Sequence, residues 1–418
     1  MSHFKYKNGE LYCESIKVKT IAQKVGTPFY LYSYKTLMEN FRALQNAFQT
    51  VDPLACFAMK ANDNLAVVKA LTDQGAGCDI VSLGELKKAL KLHIDPHKIV
   101  FASVGKTEEE ISAAIKAGIL FFNVESEGEL MEINRIAKRL KKKTRAALRV
   151  NPDVEAPTHQ KITTGTLKNK FGIDLTTAER LMNNQKHYPF VHLNGLHMHI
   201  GSQITTTDAY VKAVRKMVGF IKHLKQADIP IDYFNLGGGF GIAYEEKPVA
   251  RFQDFAKALV PLLKQMEVKI ILEPGRSICG EAGIFVTKAL YLKDNGAKRF
   301  LIVDSGMNDL MRPTLYDAYH AIIPVKQTRR KKIKMDIVGP ICESGDFFAK
   351  DRLFPPLAKN ELLAVKNAGA YCHVMASNYN VRGRAPEILV KGNKHAVIKK
   401  RETLDDLMKL EKVPAFLK

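Results

Sequence analysis

Tryptophan is absent from the 418 residues, and cysteine is scarce at six. Cys13, Cys56, Cys78, Cys279, Cys342 and Cys372 form no C-x-x-C pair. That spacing argues against a disulfide scaffold or a zinc site and for a reducing compartment. No run of about 18 apolar residues occurs, which argues against a membrane-spanning helix. The opening residues, MSHFKYKNGELYCES, hold no apolar stretch followed by a small-residue cleavage site. The expectation is therefore a cytoplasmic protein with no secretory signal. Gly/Ser linkers, low-complexity segments and short-period repeats are also missing, which leaves no flexible tether to separate independent modules.

What remains is ordinary globular material, 46% hydrophobic and 26% charged. A prior of about 150 residues per domain gives two or three domains. The 64 Lys+Arg against 43 Asp+Glu leave a formal net charge of +21. A charge of that sign can attract nucleic acid or an acidic membrane. Here it is spread along the chain, and its densest runs, 138–143 and 329–334, fall at the end of an amphipathic helical pattern and in a turn before a strand. Both read as solvated faces. No nucleic-acid or membrane partner is expected.

From residue 54 onward, short apolar strands alternate with amphipathic helices. Strands are predicted at 54–60, 78–82, 99–103, 121–125, 145–150, 195–200, 233–237 and 269–273. Helical patterns lie at 64–73, 83–92, 107–117, 126–139, 208–226 and 252–265, one of them opened by the capping-box pair Thr107 and Glu110. Eight such units over about 220 residues suit a closed parallel (β/α) barrel of the TIM type. A doubly wound open sheet satisfies the same alternation. After Gly280 strands follow one another without helices, at 284–291, 299–303, 321–325, 332–338, 361–365, 370–375, 388–390 and 395–399. This predicts a second, mostly antiparallel β domain, a Greek-key-like barrel or sandwich. The first 33 residues also read as strands and are expected to join it. The predicted organisation is thus a barrel over 34–280 and a discontinuous β domain of 1–33 with 281–418.

In a barrel of this kind, function gathers at the C-terminal ends of the strands. The first ends in Lys60, an amine held at the barrel mouth; partial dehydration lowers an ammonium pKa and suits Schiff-base chemistry, while a lysine reaching out to solvent is the plain alternative. The sixth carries His197 and His199 on one face, as metal ligands or as a flat ring to stack on a cofactor. The seventh ends in Gly237-Gly238-Gly239, a tight turn or a converging set of backbone N–H groups for a phosphate. The eighth ends in Glu273-Pro274-Gly275-Arg276, where the carboxylate and the guanidinium are either an ion pair or separate binding groups. Amine, imidazole, phosphate cradle and carboxylate together are what pyridoxal phosphate requires.

The motifs resemble those of the bacterial diaminopimelate decarboxylase family, of the alanine-racemase-like, fold-type III class of pyridoxal-phosphate enzymes. The likeness runs through FAMKAN at 57–62, CDIVSLGEL at 78–86, HMHIGSQ at 197–203, GGGFG at 237–241, EPGR at 273–276, MRPTLY at 311–316, GPICESGD at 339–346 and GAYCHVMASNYN at 369–380. It implies pyridoxal-phosphate-dependent conversion of meso-2,6-diaminopimelate to L-lysine and CO2, the last step of lysine biosynthesis, in a homodimer whose sites are shared across the interface. It further implies Lys60 as the Schiff-base lysine, His199 as the ring-stacking residue, and Glu273 as partner of the pyridine nitrogen. Ser202, Gly237, Gly238, Gly239, Pro274, Gly275, Arg276 and Tyr371 would surround the cofactor. Arg276, Arg312, Tyr316, Glu343 and Tyr371 would hold the substrate, and Cys342 would be the proton donor, reaching in from the other subunit.

One departure is Lys168-Asn169-Lys170 before Phe171-Gly172, where the family more often has a serine before the lysine. It lies in a long polar loop, 151–170, placed to close over the site. The alternatives are a related ornithine, arginine or carboxynorspermidine decarboxylase, an inactive relative that binds a partner, and a basic nucleic-acid-binding protein.

Overall fold

The structure, a computed structural model, describes residues 2–154, 170–245 and 247–417. Most of the expected closing loop, with Lys168 and Asn169, lies outside the described residues. The chain divides into two compact units: Met38–Ala243 with Lys247–Ile278, and Met1–Leu37 with Tyr244–Glu246 and Cys279–Lys418.

The first unit is a closed barrel, which decides between the two architectures the alternation allowed. Its strands are Leu54–Ala58, Gly77–Ile80, Ile99–Phe101, Phe121–Val124, Thr144–Arg149, Val191–His197, Tyr233–Asn235 and Lys269–Leu272. They pair in parallel in chain order, and the eighth closes on the first. Both faces of the strands are covered, so their residues are near-continuously apolar, as parallel strands require. Phe57, Phe101, Phe121 and Phe122 are fully buried; each contributes roughly 1.5–3 kcal/mol on leaving water. The helix Glu108–Ala117 opens with the Thr107–Glu110 capping box that its spacing announced. The sequence alternation omits two helices, Tyr34–Phe48 and Leu175–Asn183. The second carries β-branched Thr176-Thr177, of low helix propensity, in its first turn; the Asp174 carboxylate, accepting from the Thr177 N–H at 2.8 Å, caps it regardless.

The second unit is a mixed sheet built round the long strand Gly283–Asp294. Phe29–Ser33 runs antiparallel to that strand and parallel to Glu387–Lys391. Phe29 and Leu31 enter a core with Ile284, Val286, Ile388 and Val390, so the N-terminal strand is part of the same hydrophobic core as the C-terminal ones. Arg299–Val303 with Ile333–Val338 is the other parallel pair, and the remaining pairings of the sheet are antiparallel. Several segments differ from the sequence reading: Val18–Val25, within the N-terminal stretch read as strands, is an α-helix whose Val18 and Ile21 are buried, and the short helix Arg312–Tyr316 interrupts the run of strands after Gly280. Residues 370–375 form no strand, because Tyr371 takes a left-handed φ of 55° before a short 3-10 turn at His373–Met375. Phe347–Phe354, absent from the predicted strands, is a strand; Asp351, at φ 50°, sits at an irregularity in its pairing with Ile333–Val338. Among the described residues no helix is long and apolar enough to cross a membrane.

Asp309 is a buried acid of this unit whose pKa is pushed up to about 7, by burial first and also by Asp304, against the Gly306 N–H and the cations Arg382 and Arg401. An unfolded aspartate ionises near pH 4, so the folded state binds this proton more tightly. The stability it confers is complete below about pH 4 and is lost, by up to about 1.4 kcal/mol per pH unit, as pH rises through about 7. Unfolding free energies measured across this range should decline less steeply for Asp309→Asn than for the wild type; parallel curves would exclude Asp309 as the source.

Candidate active site

Strand register brings polar residues to one end of the barrel. Ala58 pairs with Asp79, and Arg149, His197 and Asn235 stand side by side on strands five, six and seven. Lys60 follows the first strand in a single 3-10 turn, and its Nζ lies 2.7 Å from Asp79 Oδ2. The lysine side chain is 35% exposed and the aspartate fully buried. Burial raises the Asp79 pKa, the charge of Glu273 adds to this, and Lys60 opposes it. Asp79 is thus the anchor of the amine, a buried carboxylate whose proton affinity is raised by its surroundings.

Glu273 ends the eighth strand, buried at 4% exposure. Its Oε1 accepts from Asn235 Nδ2 at 2.6 Å and from Asn123 Nδ2 at 3.0 Å, and its Oε2 faces His197 Nε2 at 3.3 Å. Burial pushes its pKa up, but His197, Lys60 and Asn235 outweigh burial and hold the carboxyl well below the usual range. The fully buried Lys106 braces this cluster: its Nζ donates to the carbonyls of Ser103 at 2.8 Å and Asn123 at 2.9 Å and pairs with Glu129. On strand five, Arg149 forms a buried ion pair with Glu125 at 2.7 Å.

His199, half-buried, accepts the Gly238 N–H on Nδ1 at 3.3 Å. That fixes the proton on Nε2, and burial, then Arg149 and Lys60, keep the ring neutral. The glycines beside it have a packing reason of their own. A Cβ on Gly238 would come within 2.0 Å of the Glu273 carbonyl oxygen, and one on Gly239, at φ 108°, within 2.2 Å of that of Gly201. Only glycine lets strand ends six, seven and eight meet so closely. The N–H groups of Gly237 and Gly238 are engaged by Asn235 Oδ1 and His199 Nδ1, while that of Gly239 makes no hydrogen bond among the described residues. Ser202 Oγ accepts from Arg276 Nη2 at 3.1 Å. The Pro274 carbonyl accepts the Ala58 N–H at 3.0 Å, tying the eighth strand end to the first.

The second unit holds the other residues of interest. Arg312, 6% exposed, lies in the one-turn helix Arg312–Tyr316, with its guanidinium 5.2 Å from the Tyr244 ring centre and 5.7 Å from that of Tyr316. Cys342 and Glu343 project from an exposed turn. The turn is fixed by the Asp346 carboxylate, which accepts the N–H groups of Met307 at 2.6 Å and Ile341 at 2.7 Å. Cys342 is the exposed cysteine, and the other five are buried. Tyr371 is half-buried and left-handed.

Lys60, His199, Ser202, the three glycines, Glu273 and Arg276 thus gather at one barrel end. The sequence reading missed Asp79, Asn123, Arg149 and Asn235 there. Each is a polar residue at or near the close of an apolar parallel strand, which was the available signal. The group they surround is tested by chemistry: a buried carboxylate held ionised among amide donors has room for a cationic ring N–H, an amine stands opposite, and the imidazole presents a neutral face. These features fit pyridoxal phosphate.

The model of the pyridoxal-dependent decarboxylase family's pyridoxal binding domain matches residues 34–280. A diaminopimelate decarboxylase of Aquifex aeolicus is 49% identical over 405 residues, covering 96% of each chain. The crystal structure of diaminopimelate decarboxylase from Helicobacter pylori, complexed with L-lysine, has a TM-score of 0.90 at 40% identity over 94% of this chain and 98% of that one. That of the M. jannaschii enzyme, in co-complex with L-lysine, has a TM-score of 0.95 at 37% identity over 99% and 98%. The chain belongs to the diaminopimelate decarboxylase family of pyridoxal-dependent decarboxylases.

Proposed function

We propose that this protein decarboxylates meso-2,6-diaminopimelate to L-lysine and CO2 with pyridoxal phosphate, as the closing step of lysine biosynthesis in the cytoplasm. The observation that carries the reading is the ionised, buried Glu273 at the same barrel end as the Lys60–Asp79 pair. Two solved relatives with L-lysine bound support the substrate class.

Pyridoxal phosphate, when bound, supplies an aldehyde that condenses with amines and a ring that takes up the electron pair left by departing CO2. Lys60 would hold the aldehyde through its Nζ, which Asp79 positions at 2.7 Å. Glu273 would accept the ring N–H and keep it protonated. His199 would cover one face of the ring. Ser202, the Gly239 N–H, Gly275 and Arg276 would hold the phosphate, with Gly237, Gly238 and Pro274 shaping the turn and Tyr371 as a further cofactor contact. Arg312, with Tyr316, pairs with the substrate carboxylate that is retained, and Glu343 accepts the distal ammonium. Cys342 would supply the proton for the carbon that loses CO2. Arg276 contributes charge to both the phosphate and the substrate end. A site that buries arginine for a carboxylate rejects substrates lacking that group, by a factor of up to about 10⁴. Ornithine is such a substrate.

The test is CO2 release from meso-diaminopimelate, ornithine and arginine, with and without added pyridoxal phosphate. Cofactor-dependent release from diaminopimelate is expected, and release from ornithine or arginine alone contradicts the reading.

The active unit is a homodimer in which Cys342 and Glu343, exposed on their rigid turn, complete the other subunit's site. Mixing inactive Lys60→Ala with inactive Cys342→Ala should then restore activity that neither has alone, because a hybrid dimer contains one intact site. No recovery after verified subunit exchange would place both residues in a single-chain site.

A further inference from the structure

Arg312 is a buried guanidinium that lies over two tyrosine rings, contacts that depend on its distance from each ring face and do not by themselves fix the direction of its N–H fork. Its Nε donates to His320 Nε2 at 3.3 Å. His320, fully buried, meets the Lys366 carbonyl with its Nδ1 at 2.8 Å. A carbonyl only accepts, so Nδ1 carries the proton and Nε2 of the neutral ring offers a lone pair. The Arg312 N–H fills it. The other tautomer would set two donors face to face. The Tyr244 ring stands edge-on to the imidazole at 5.1 Å and 77°, and the same ring flanks Arg312, so ring and guanidinium share one wall.

We propose that His320 is a positioning residue for substrate recognition: anchored on the Lys366 carbonyl, it fixes the in-plane rotation of Arg312 so that the guanidinium edge opposite Nε is presented to the carboxylate that the reaction leaves in place. This rests on the assignment of Arg312 to that carboxylate. Nε is committed to His320, so the two terminal nitrogens form the fork, and a bidentate pair depends on the angle of that fork. No sequence motif names the histidine, eight residues downstream of Arg312; only the short helix and the turn after it bring it back.

The test separates anchor from acceptor. In His320→Asn the side-chain amide can still donate to Lys366 but cannot reach Arg312; in His320→Gln the side-chain oxygen can stand where Nε2 was. Holoenzyme of each is assayed with diaminopimelate and with two inhibitors, L-lysine, which keeps the carboxylate, and cadaverine, which lacks it. For His320→Asn, the KM for diaminopimelate and the inhibition constant of L-lysine should rise together by about tenfold, the scale of a small misplacement of a binding group. Cadaverine inhibition should not change and kcat should change less. His320→Gln should recover most of the loss. An unaffected Asn variant, equal losses in both variants, or an equal loss for cadaverine overturns the proposal. Arg312→Gln is the control for the underlying assignment: if it leaves L-lysine inhibition intact, the reading of Arg312 itself fails, whereas if it weakens L-lysine and His320→Asn does not, only the role of His320 fails. A reading without variants comes from NMR of arginine-labelled holoenzyme, where Arg312 Nε–H should be protected from solvent exchange; exchange as fast as that of an exposed arginine contradicts the hydrogen bond.

Discussion

Lys60→Ala abolishes decarboxylation, with an expected loss on the order of 10⁴-fold or more, since it removes the amine on which covalent catalysis depends. Part of that effect is electrostatic and must be separated from the chemistry. Lys60 Nζ is 2.7 Å from the fully buried Asp79, and removing one partner of such a pair strands the other. Asp79 already has a raised proton affinity, so in the alanine variant it takes a proton and stays neutral rather than unfolding the barrel. Lys60→Arg makes the distinction. It keeps a cation beside Asp79, preserves the fold, and still cannot condense with an aldehyde. Turnover of diaminopimelate and the thermal midpoint of both variants check this: equal loss of activity in both, with the arginine variant the more stable, is expected. Substantial turnover in either would remove Lys60 from the chemistry.

Glu273→Gln should lower kcat by roughly 10² to 10³, the scale of losing one preorganised charge in a closed site. A glutamine offers one oxygen where the glutamate has two. Asn235 and Asn123 both donate to Oε1 while His197 faces Oε2, so the amide nitrogen of glutamine would meet either the two asparagine donors or the histidine. A stability cost of about 1–3 kcal/mol for the group left unsatisfied should accompany the kinetic one. Glu273→Asp is the informative companion, because it keeps the charge and shortens the reach. If charge at the ring nitrogen is what matters, Asp retains more kcat than Gln. Equal kcat for wild type and Gln, measured with the cofactor bound, would mean that Glu273 serves packing alone.

The barrel was legible because parallel strands covered on both faces are written as short apolar runs. All eight predicted strands lie at observed ones, and 208–226 coincides with the helix Asp208–Gln226. The strand 370–375 was misread because its apolar composition conceals a left-handed Tyr371, and Phe347–Phe354 was missed because Lys350, Asp351 and Arg352 interrupt its pattern. In the first case the backbone conformation of one residue decided, which composition does not report; in the second, a bulge at Asp351 and its charged neighbours masked the alternation. At the site, residues with a strong chemical signature were visible: a lysine ending an apolar strand, a glycine triplet, a Glu-Pro-Gly-Arg corner. Those acting through others were not. Asn123 and Asn235 matter because register carries them to Glu273 from strands four and seven, 150 and 38 residues away in sequence. The glycine triplet carried a mixed message. Its spacing suggested a phosphate cradle, yet two of its N–H groups hold the barrel's own side chains, and the close approach of three strand ends accounts for glycine at 238 and 239.

The most direct measurement is chemical trapping of the cofactor on the chain. Holoenzyme reduced with borohydride and digested should yield one pyridoxyl-labelled peptide, the one containing Phe57-Ala58-Met59-Lys60-Ala61-Asn62, with the mass increment on Lys60. A label on another lysine, such as the buried Lys106, or no label on a protein that binds the cofactor, would contradict the covalent role given to Lys60 and the site built around it.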